Sequence, residues 1–119
     1  MSMNAARKEA LIRRAAAESI RHPNSRKVRW SRHAIAEIAH ESLDPARLVQ
    51  ALVECEVIED YPLVSRPLPD CLVLAWLPDG RPVHAVIAIN EPLEQVLVVT
   101  VYIPTEGQWE DDWKTRKTR

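Results

Sequence analysis

Three apolar segments of strand length follow one another between Cys71 and Pro104, and they constrain the fold more than any other part of the chain. The first ends before the turn sequence Pro78-Asp79-Gly80, and a short polar break separates the second from the third. Residues that favour strands, above all Val, Ile and other β-branched types, dominate all three. Gly80 supplies the positive φ that a tight hairpin requires. The stretch therefore predicts an antiparallel three-strand meander.

The hairpin also predicts which side chains share a face of the sheet. If Leu77 and Arg81 flank the loop, His84 lies opposite Leu74. Alternation then divides the second strand into two sets, with His84, Val86 and Ala88 on one face and Ala85, Ile87 and Ile89 on the other. On the third strand the same alternation groups Val98, Thr100 and Tyr102.

Helix signals dominate the chain before residue 56. Asn4, Ser31 and Asp44 are good N-caps, and they predict helices over about 5–20, 32–42 and 45–55. The apolar residues at helical spacing are expected to face the core: Leu11, Ile12, Ala15, Ala16 and Ile20 on the first helix, and Ile35, Ile38 and Ala39 on the second. Short strands are expected at 26–30 and 56–61, with a proline-rich loop at 62–70. Helices followed by strands predict an α+β fold in which the helices pack on one face of an antiparallel sheet of about four strands.

The charges are distributed unevenly along the chain. Residues 1–32 carry a net charge of +7, residues 33–113 carry −12, and residues 114–119 carry +4. Because the body is acidic, contacts with a polyanion are expected at the basic ends. The predicted nucleic-acid-binding residues are Arg7, Arg14 and Arg21, which form a stripe along the first helix, and Arg116 in the tail. The alternative is an ordinary solvated helix face.

Targeting signals and cofactor motifs are not recognisable in this sequence. Arg13 and Arg14 interrupt the apolar run that a signal peptide needs, and no run approaches the ~20 residues of a membrane span, so a cytoplasmic location without membrane contact is expected. Cys55 and Cys71 form no CxxC motif and are expected to be free, buried thiols. Gly-rich phosphate loops and GxSxG elbows do not occur, and no cofactor is predicted.

Several short segments, taken in order, resemble a known family. They are Ser31-Arg32-His33-Ala34, Val57 to Pro62, Arg81 to Ile87, Val99 to Pro104, and Trp109. Together they look like the bacterial family catalogued as domain of unknown function 4258, over about residues 28–113. The resemblance implies a helical extension at 1–27, a single α+β domain at 28–113 and a basic tail at 114–119.

That family is similar in layout to RelE-like toxins, which implies an endoribonuclease of a toxin–antitoxin pair, with RNA as substrate and an antitoxin-like protein partner. Glu37 and Glu41 stand where the family usually carries Arg, so a site that clamps RNA phosphate loses two cations. This exchange favours a second hypothesis, a catalytically silent protein-binding module of the same fold. Oligomeric state is not predicted.

RNA cleavage needs a proton acceptor, a proton donor and positive charge near the phosphate. The candidate catalytic residues are His33 and His84 as base or acid, Tyr102 as donor, and Arg81 for charge, with Arg66 and Arg119 as further sources of charge. Each residue also has a structural alternative. His33 caps a helix or is simply exposed, His84 is a hydrogen-bonded residue of a strand, Tyr102 packs against its neighbours, and Arg81 is an ordinary turn residue.

A third hypothesis is a metal-dependent enzyme that uses His33. His33, Glu37 and His40 share one helix face with a spacing that can converge on a metal, but this is not the HExxH motif and a third ligand from elsewhere would be required. We therefore predict no metal ligands.

Overall fold

The computed structural model describes residues 3–61 and 68–118. Its helices and strands are α1 (Ala5–Arg21), a 3₁₀ turn (Pro23–Ser25), β1 (Val28–Trp30), α2 (Arg32–His40), α3 (Pro45–Leu52), β2 (Glu56–Tyr61), β3 (Asp70–Trp76), β4 (Pro82–Asn90) and β5 (Gln95–Tyr102). The predicted caps are confirmed: Asn4, Ser31 and Asp44 each accept a backbone N–H of the following first turn. Most of the predicted proline-rich loop lies outside the described residues.

The strands form one five-stranded sheet in the order β1-β5-β4-β3-β2. The α+β class is confirmed, but an antiparallel sheet of about four strands is only roughly right. β1 joins as a fifth strand at the edge and runs parallel to β5, so the sheet is mixed. A parallel neighbour needs a long crossover connection, and the whole chain from α2 to β4 supplies it.

The central hairpin has the predicted register. Leu77 N–H donates to Arg81 O at 2.9 Å, Gly80 takes a φ of +94°, and Leu74 pairs with His84. The predicted grouping on β5 is wrong at one residue, because the register shifts between Val86 and Ile87. Val98 therefore pairs with buried Ile87, whereas Thr100 and Tyr102 pair with residues of the opposite face.

All three helices contribute to one core on a single face of the sheet. The core side chains include Leu11 and Ile12 of α1, Ile38 of α2, Leu48 and Leu52 of α3, and Val73, Ile87 and Val98 of the sheet. Three predicted core residues are wrong: Ile20 is 48% exposed, Ile35 is 57% exposed, and Ala39 is exposed as well. The buried residues of α2 are Ala34 and Ile38, so this helix is rotated relative to the expected orientation and Glu37 is turned toward the sheet.

A buried lysine fastens α1 to the sheet. Lys8 is only 3% exposed, and its Nζ donates to the Asp60 carboxylate, to Asp70 O at 2.8 Å and to Tyr61 O at 3.3 Å. Helix α1 thus shares its core and an ion pair with the 28–113 unit, and the proposed division into an extension at 1–27 and a domain stays a prediction.

The two cysteines are free and buried, as expected. Burial raises the pKa of each thiol to about 12, so both are unreactive at neutral pH. Within residues 3–61 and 68–118, no helix combines the length and apolar character that crossing a bilayer requires.

Candidate functional site

The helix-free face of the sheet carries a cluster of polar side chains. Glu59 and Tyr61 come from β2, His84 from β4 and Tyr102 from β5. They share this face because Glu59 and Tyr61 pair with residues of β3 that face away from the helices, and His84 pairs with both Leu74 and Tyr102. The chain beyond β5 returns over them, and we call residues 105–118 the C-terminal hairpin.

His84 lies at the centre of this cluster and is fully buried. Its Nε2 lies 2.6 Å from Trp113 O and its Nδ1 lies 3.0 Å from the Tyr102 hydroxyl. A carbonyl oxygen only accepts, so Nε2 carries the proton and Nδ1 accepts from the tyrosine. Burial lowers the pKa of His84 below its ordinary value of 6.5, which keeps the ring neutral.

Aromatic rings enclose the imidazole on two sides. Tyr102 and Trp109 both meet it edge-to-face, with ring centroids at 5.2 and 4.4 Å. Trp109 is itself 2% exposed, so it fills space above the sheet and does not present a face for stacking bases. The arrangement closes His84 off from solvent.

An arginine–carboxylate pair forms the outer side of the cluster. Arg116 donates to both oxygens of Glu59, at 2.6 and 2.9 Å, and its guanidinium lies 4.7 Å from the centre of the Trp109 ring. The Tyr61 hydroxyl donates to the same carboxylate at 3.0 Å. The hydrogen bond from Arg116 lowers the pKa of Glu59, and burial together with Glu59 raises the pKa of Tyr61 to about 12.

The C-terminal hairpin has its own internal bonds. Glu110 N–H donates to Thr115 O, Lys117 N–H donates to Gln108 O, and Trp109 pairs with Arg116 as an antiparallel bridge. The Asp112 carboxylate accepts the backbone N–H groups of Lys114 and Thr115, which closes the turn. The predicted basic tail therefore begins inside an ordered structure.

Two predicted catalytic residues lie apart from this cluster. His33 is 68% exposed at the start of α2, where its only close charged neighbour in the described chain is Glu37, at 3.4 Å. Arg81 is bound to Asp79 within its own turn, at 3.0 Å. The structure thus brings His84 and Tyr102 together and leaves His33 and Arg81 elsewhere, and the catalytic roles of all four stay predictions.

The four arginines predicted to bind nucleic acid each contact a carboxylate. Arg7 pairs with Glu91 and Arg14 with Glu94, both at the β4–β5 turn, while Arg21 pairs with Glu18 one helical turn earlier. Arg116 pairs with Glu59. Their role in binding RNA stays a prediction, while Arg66 and Arg119 lie outside the described residues.

Glu37 has a structural partner that the sequence did not reveal. Its carboxylate accepts the Val101 N–H at 2.8 Å, on the side of β5 that β1 is too short to cover. This bond fixes α2 against the sheet and uses one oxygen of the proposed His33–Glu37–His40 face. Within the described ranges, no group of three or more His, Cys, Asp or Glu side chains is placed to hold a metal.

Sequence reasoning missed Glu59, Tyr61 and the Trp113 carbonyl. Alternation along Glu56–Tyr61 could have placed Glu59 and Tyr61 on one face, because they are two residues apart. The Trp113 contact comes from a hairpin with no strand-like pattern, and no sequence signal indicates it.

Comparison with known proteins places the chain in one family. The model of the family described as Domain of unknown function (DUF4258) matches residues 30–103, more than half of the chain. No curated protein and no solved structure gives a match.

Proposed function

Since this chain belongs to the DUF4258 family, whose description assigns no activity, we propose from the chain's own geometry that it is a catalytically silent protein-binding module. In this role the protein presents a face and an edge of its sheet to another protein. The RelE-like layout is part of this proposal, as an analogy of fold that carries no activity by itself.

The burial of His84 is the observation that carries the proposal. A general base must lie within hydrogen-bond reach of the proton that it removes. Of the two histidines predicted as acid or base, His84 is the one that lies in the polar cluster. Its Nδ1 is hydrogen-bonded to the Tyr102 hydroxyl and its Nε2 to the Trp113 carbonyl. In this arrangement it supports the C-terminal hairpin and has no free nitrogen for a substrate.

The charge distribution supports the same reading. A transferring phosphate needs positive charge that is free to meet it. Arg116, the arginine nearest His84, is held by both oxygens of Glu59. A polyanion would have to replace that carboxylate within a body of net charge −12.

The helix-free face also offers surface suited to a protein partner. A groove of about 440 Å³ runs beside the cluster, and its lining is mainly apolar: Val86, Ala88, Leu97 and Val99 contribute, with Thr100 and Tyr61 at its margin. Apolar surface rimmed by polar groups is typical of protein contacts.

Expression in a bacterium from a tightly controlled promoter tests the proposal. We expect normal growth and intact total RNA from the wild-type chain, and the same from His33→Ala and His84→Ala at equal soluble expression. Growth arrest with RNA cleavage that either substitution relieves would overturn it. Purification should also recover a stoichiometric protein partner that survives ribonuclease treatment and re-forms the complex from purified components.

A RelE-like endoribonuclease is the second candidate, and the convergence of Glu59, Tyr61, His84, Tyr102 and Arg116 favours it. These residue types can supply a base, a proton donor and a cation for a phosphorane. For this candidate the C-terminal hairpin must leave His84 before RNA can enter.

Trp109→Ala separates the two candidates, because it removes the ring that covers His84. If the site is a closed ribonuclease, purified Trp109→Ala cleaves RNA and the Trp109→Ala/His84→Ala double variant does not. The binding-module proposal expects neither protein to cleave RNA while both retain their strands by circular dichroism.

A further inference from the structure

Three arginines without an ion-pair partner in the described part of the chain lie at the free edge of the sheet, on and around β1. Within the described residues, Arg26, Arg29 and Arg32 are exposed and have no carboxylate within ion-pair distance, unlike Arg7, Arg14 and Arg21. They lie at intervals of three residues on and around β1: Arg26 follows the 3₁₀ turn, Arg29 is the middle residue of β1, and Arg32 begins α2. The positive surface therefore lies at β1 and not along α1.

The backbone of β1 offers hydrogen-bonding groups at this edge. Lys27 O accepts from Val96 N–H, and Ser31 N–H donates to Val98 O. Strand alternation then directs the backbone N–H and C=O of Val28 and Trp30 away from β5. No other described residue bonds to these groups, so the edge can accept a further strand.

A pocket for a side chain adjoins the same edge. It has a volume of about 260 Å³, begins at Arg29 and Trp30, and runs inward over Leu97 and Ala88. Its inner part joins the apolar groove on the helix-free face, because Leu97 and Ala88 line both. In strand addition, backbone bonds provide affinity and such pockets provide specificity.

We propose that the free edge of β1 binds an extended acidic segment of a partner protein, which pairs with the backbone of Val28 and Trp30 and places carboxylates against Arg26, Arg29 and Arg32. This inference rests on the proposed function, since it names the partner surface of the binding module. A second copy of the chain does not fit, because two β1 edges would bring arginines against arginines.

The backbone groups favour a peptide over RNA. Phosphates could satisfy the arginines, but only another backbone supplies donors and acceptors at strand spacing for Val28 and Trp30.

The probe is a blocked seven-residue peptide that alternates Glu and Val, titrated against the full chain at low salt. Hydrogen exchange at the Val28 and Trp30 amides should slow when the peptide binds. The variant Arg26→Gln/Arg29→Gln/Arg32→Gln should bind about tenfold more weakly, since three exposed ion pairs are lost. The matched control Arg7→Gln/Arg14→Gln/Arg21→Gln removes the same charge and should bind like wild type.

N-methylation tests the strand pairing directly. Only alternate residues of an added strand point their N–H groups at β1. Of two peptides, one N-methylated at every valine and the other at every glutamate, one should therefore lose binding and the other should keep it. The proposal is overturned if the peptide does not bind, if both triple variants bind equally, or if a seven-nucleotide oligouridylate binds β1 more tightly than the peptide.

These outcomes are separate from those of the proposed function. If a protein partner is recovered and the Arg26→Gln/Arg29→Gln/Arg32→Gln variant retains it, the binding module stands and the β1 site is wrong. If the chain cleaves RNA while the acidic peptide still binds β1, the silent-module proposal fails and the edge site stands.

Discussion

The two ends of the chain are each fastened to the sheet by one buried polar side chain, on opposite faces. Lys8 holds α1 against the helix-covered face, and His84 holds the C-terminal hairpin on the helix-free face. Lys8 is charged and meets a carboxylate and two carbonyls, whereas His84 is neutral and meets a hydroxyl and one carbonyl. The comparison shows why a buried polar residue need not be a site: each has all of its partners inside the fold.

The difference between the two anchors lies in what covers them. Lys8 lies beneath a 17-residue helix that adds Leu11, Ile12, Ala15 and Ala16 to the core. His84 lies beneath a short hairpin whose main apolar contribution is Trp109. The N-terminal anchor therefore belongs to the global fold, and the C-terminal one can open locally.

Lys8→Met should give the largest effect. Methionine keeps the length of the side chain but leaves Asp70 O and Tyr61 O without this donor and removes the partner of Asp60, which we expect to lower the free energy of unfolding by about 3 kcal/mol. Urea denaturation measures it. Arg7→Met, which removes an exposed ion pair on the same helix, should change stability by less than about 0.5 kcal/mol. Equal effects of the two variants would mean that apolar packing alone holds α1.

His84→Leu should have an intermediate effect, a loss of about 1.5 kcal/mol at neutral pH from two hydrogen bonds. The pH dependence of stability tests whether His84 is neutral in the folded chain. Because burial lowers the pKa of His84 in the folded state, the unfolded chain binds this proton first, and wild-type stability falls as the pH drops below 6.5. Glu59 and Arg116 face the ring with opposite charge, and they oppose each other in this shift.

The gap between wild type and His84→Leu should therefore narrow as the pH falls through this range. An unchanged slope in His84→Leu would show that His84 has the same pKa in the folded and unfolded chain, and a gap that widens as the pH falls would show that the imidazole is protonated in the fold, which would reopen its use as an acid.

The sequence predicts the position of His84 in part, but it does not predict the contacts of Lys8. The Pro78-Asp79-Gly80 turn fixes the register that places His84 opposite Leu74, because a two-strand hairpin allows few alternatives. Lys8 falls on the apolar side of α1, but helical spacing does not reveal which carbonyls a lysine reaches 52 or more residues away.

The parts that sequence reasoning missed depend on long-range contacts. Residues 96–99 are apolar on both faces, so alternation cannot show the register shift that separates Val98 from Thr100. Likewise, the sequence alone does not distinguish the arginines of α1 from those on and around β1. Only the fold brings Glu91 and Glu94 to Arg7 and Arg14 and leaves Arg26, Arg29 and Arg32 unpaired.

Arg116→Gln should give the smallest effect on stability. It measures how much the Arg116–Glu59 ion pair contributes to holding the C-terminal hairpin on the sheet. Arg116 is 59% exposed, so solvent screens its pair with Glu59, and we expect a loss of only about 0.5 kcal/mol that shrinks further at high salt. The pKa of Glu59, measured by NMR, should rise toward its usual value of 4.5, because the arginine hydrogen bond is the main cause of its lowering. Arg81→Gln, which breaks the exposed pair with Asp79, is the control and should leave Glu59 unchanged. If Arg116→Gln instead removes as much stability as His84→Leu, the hairpin is held by this pair and not by the ring beneath it.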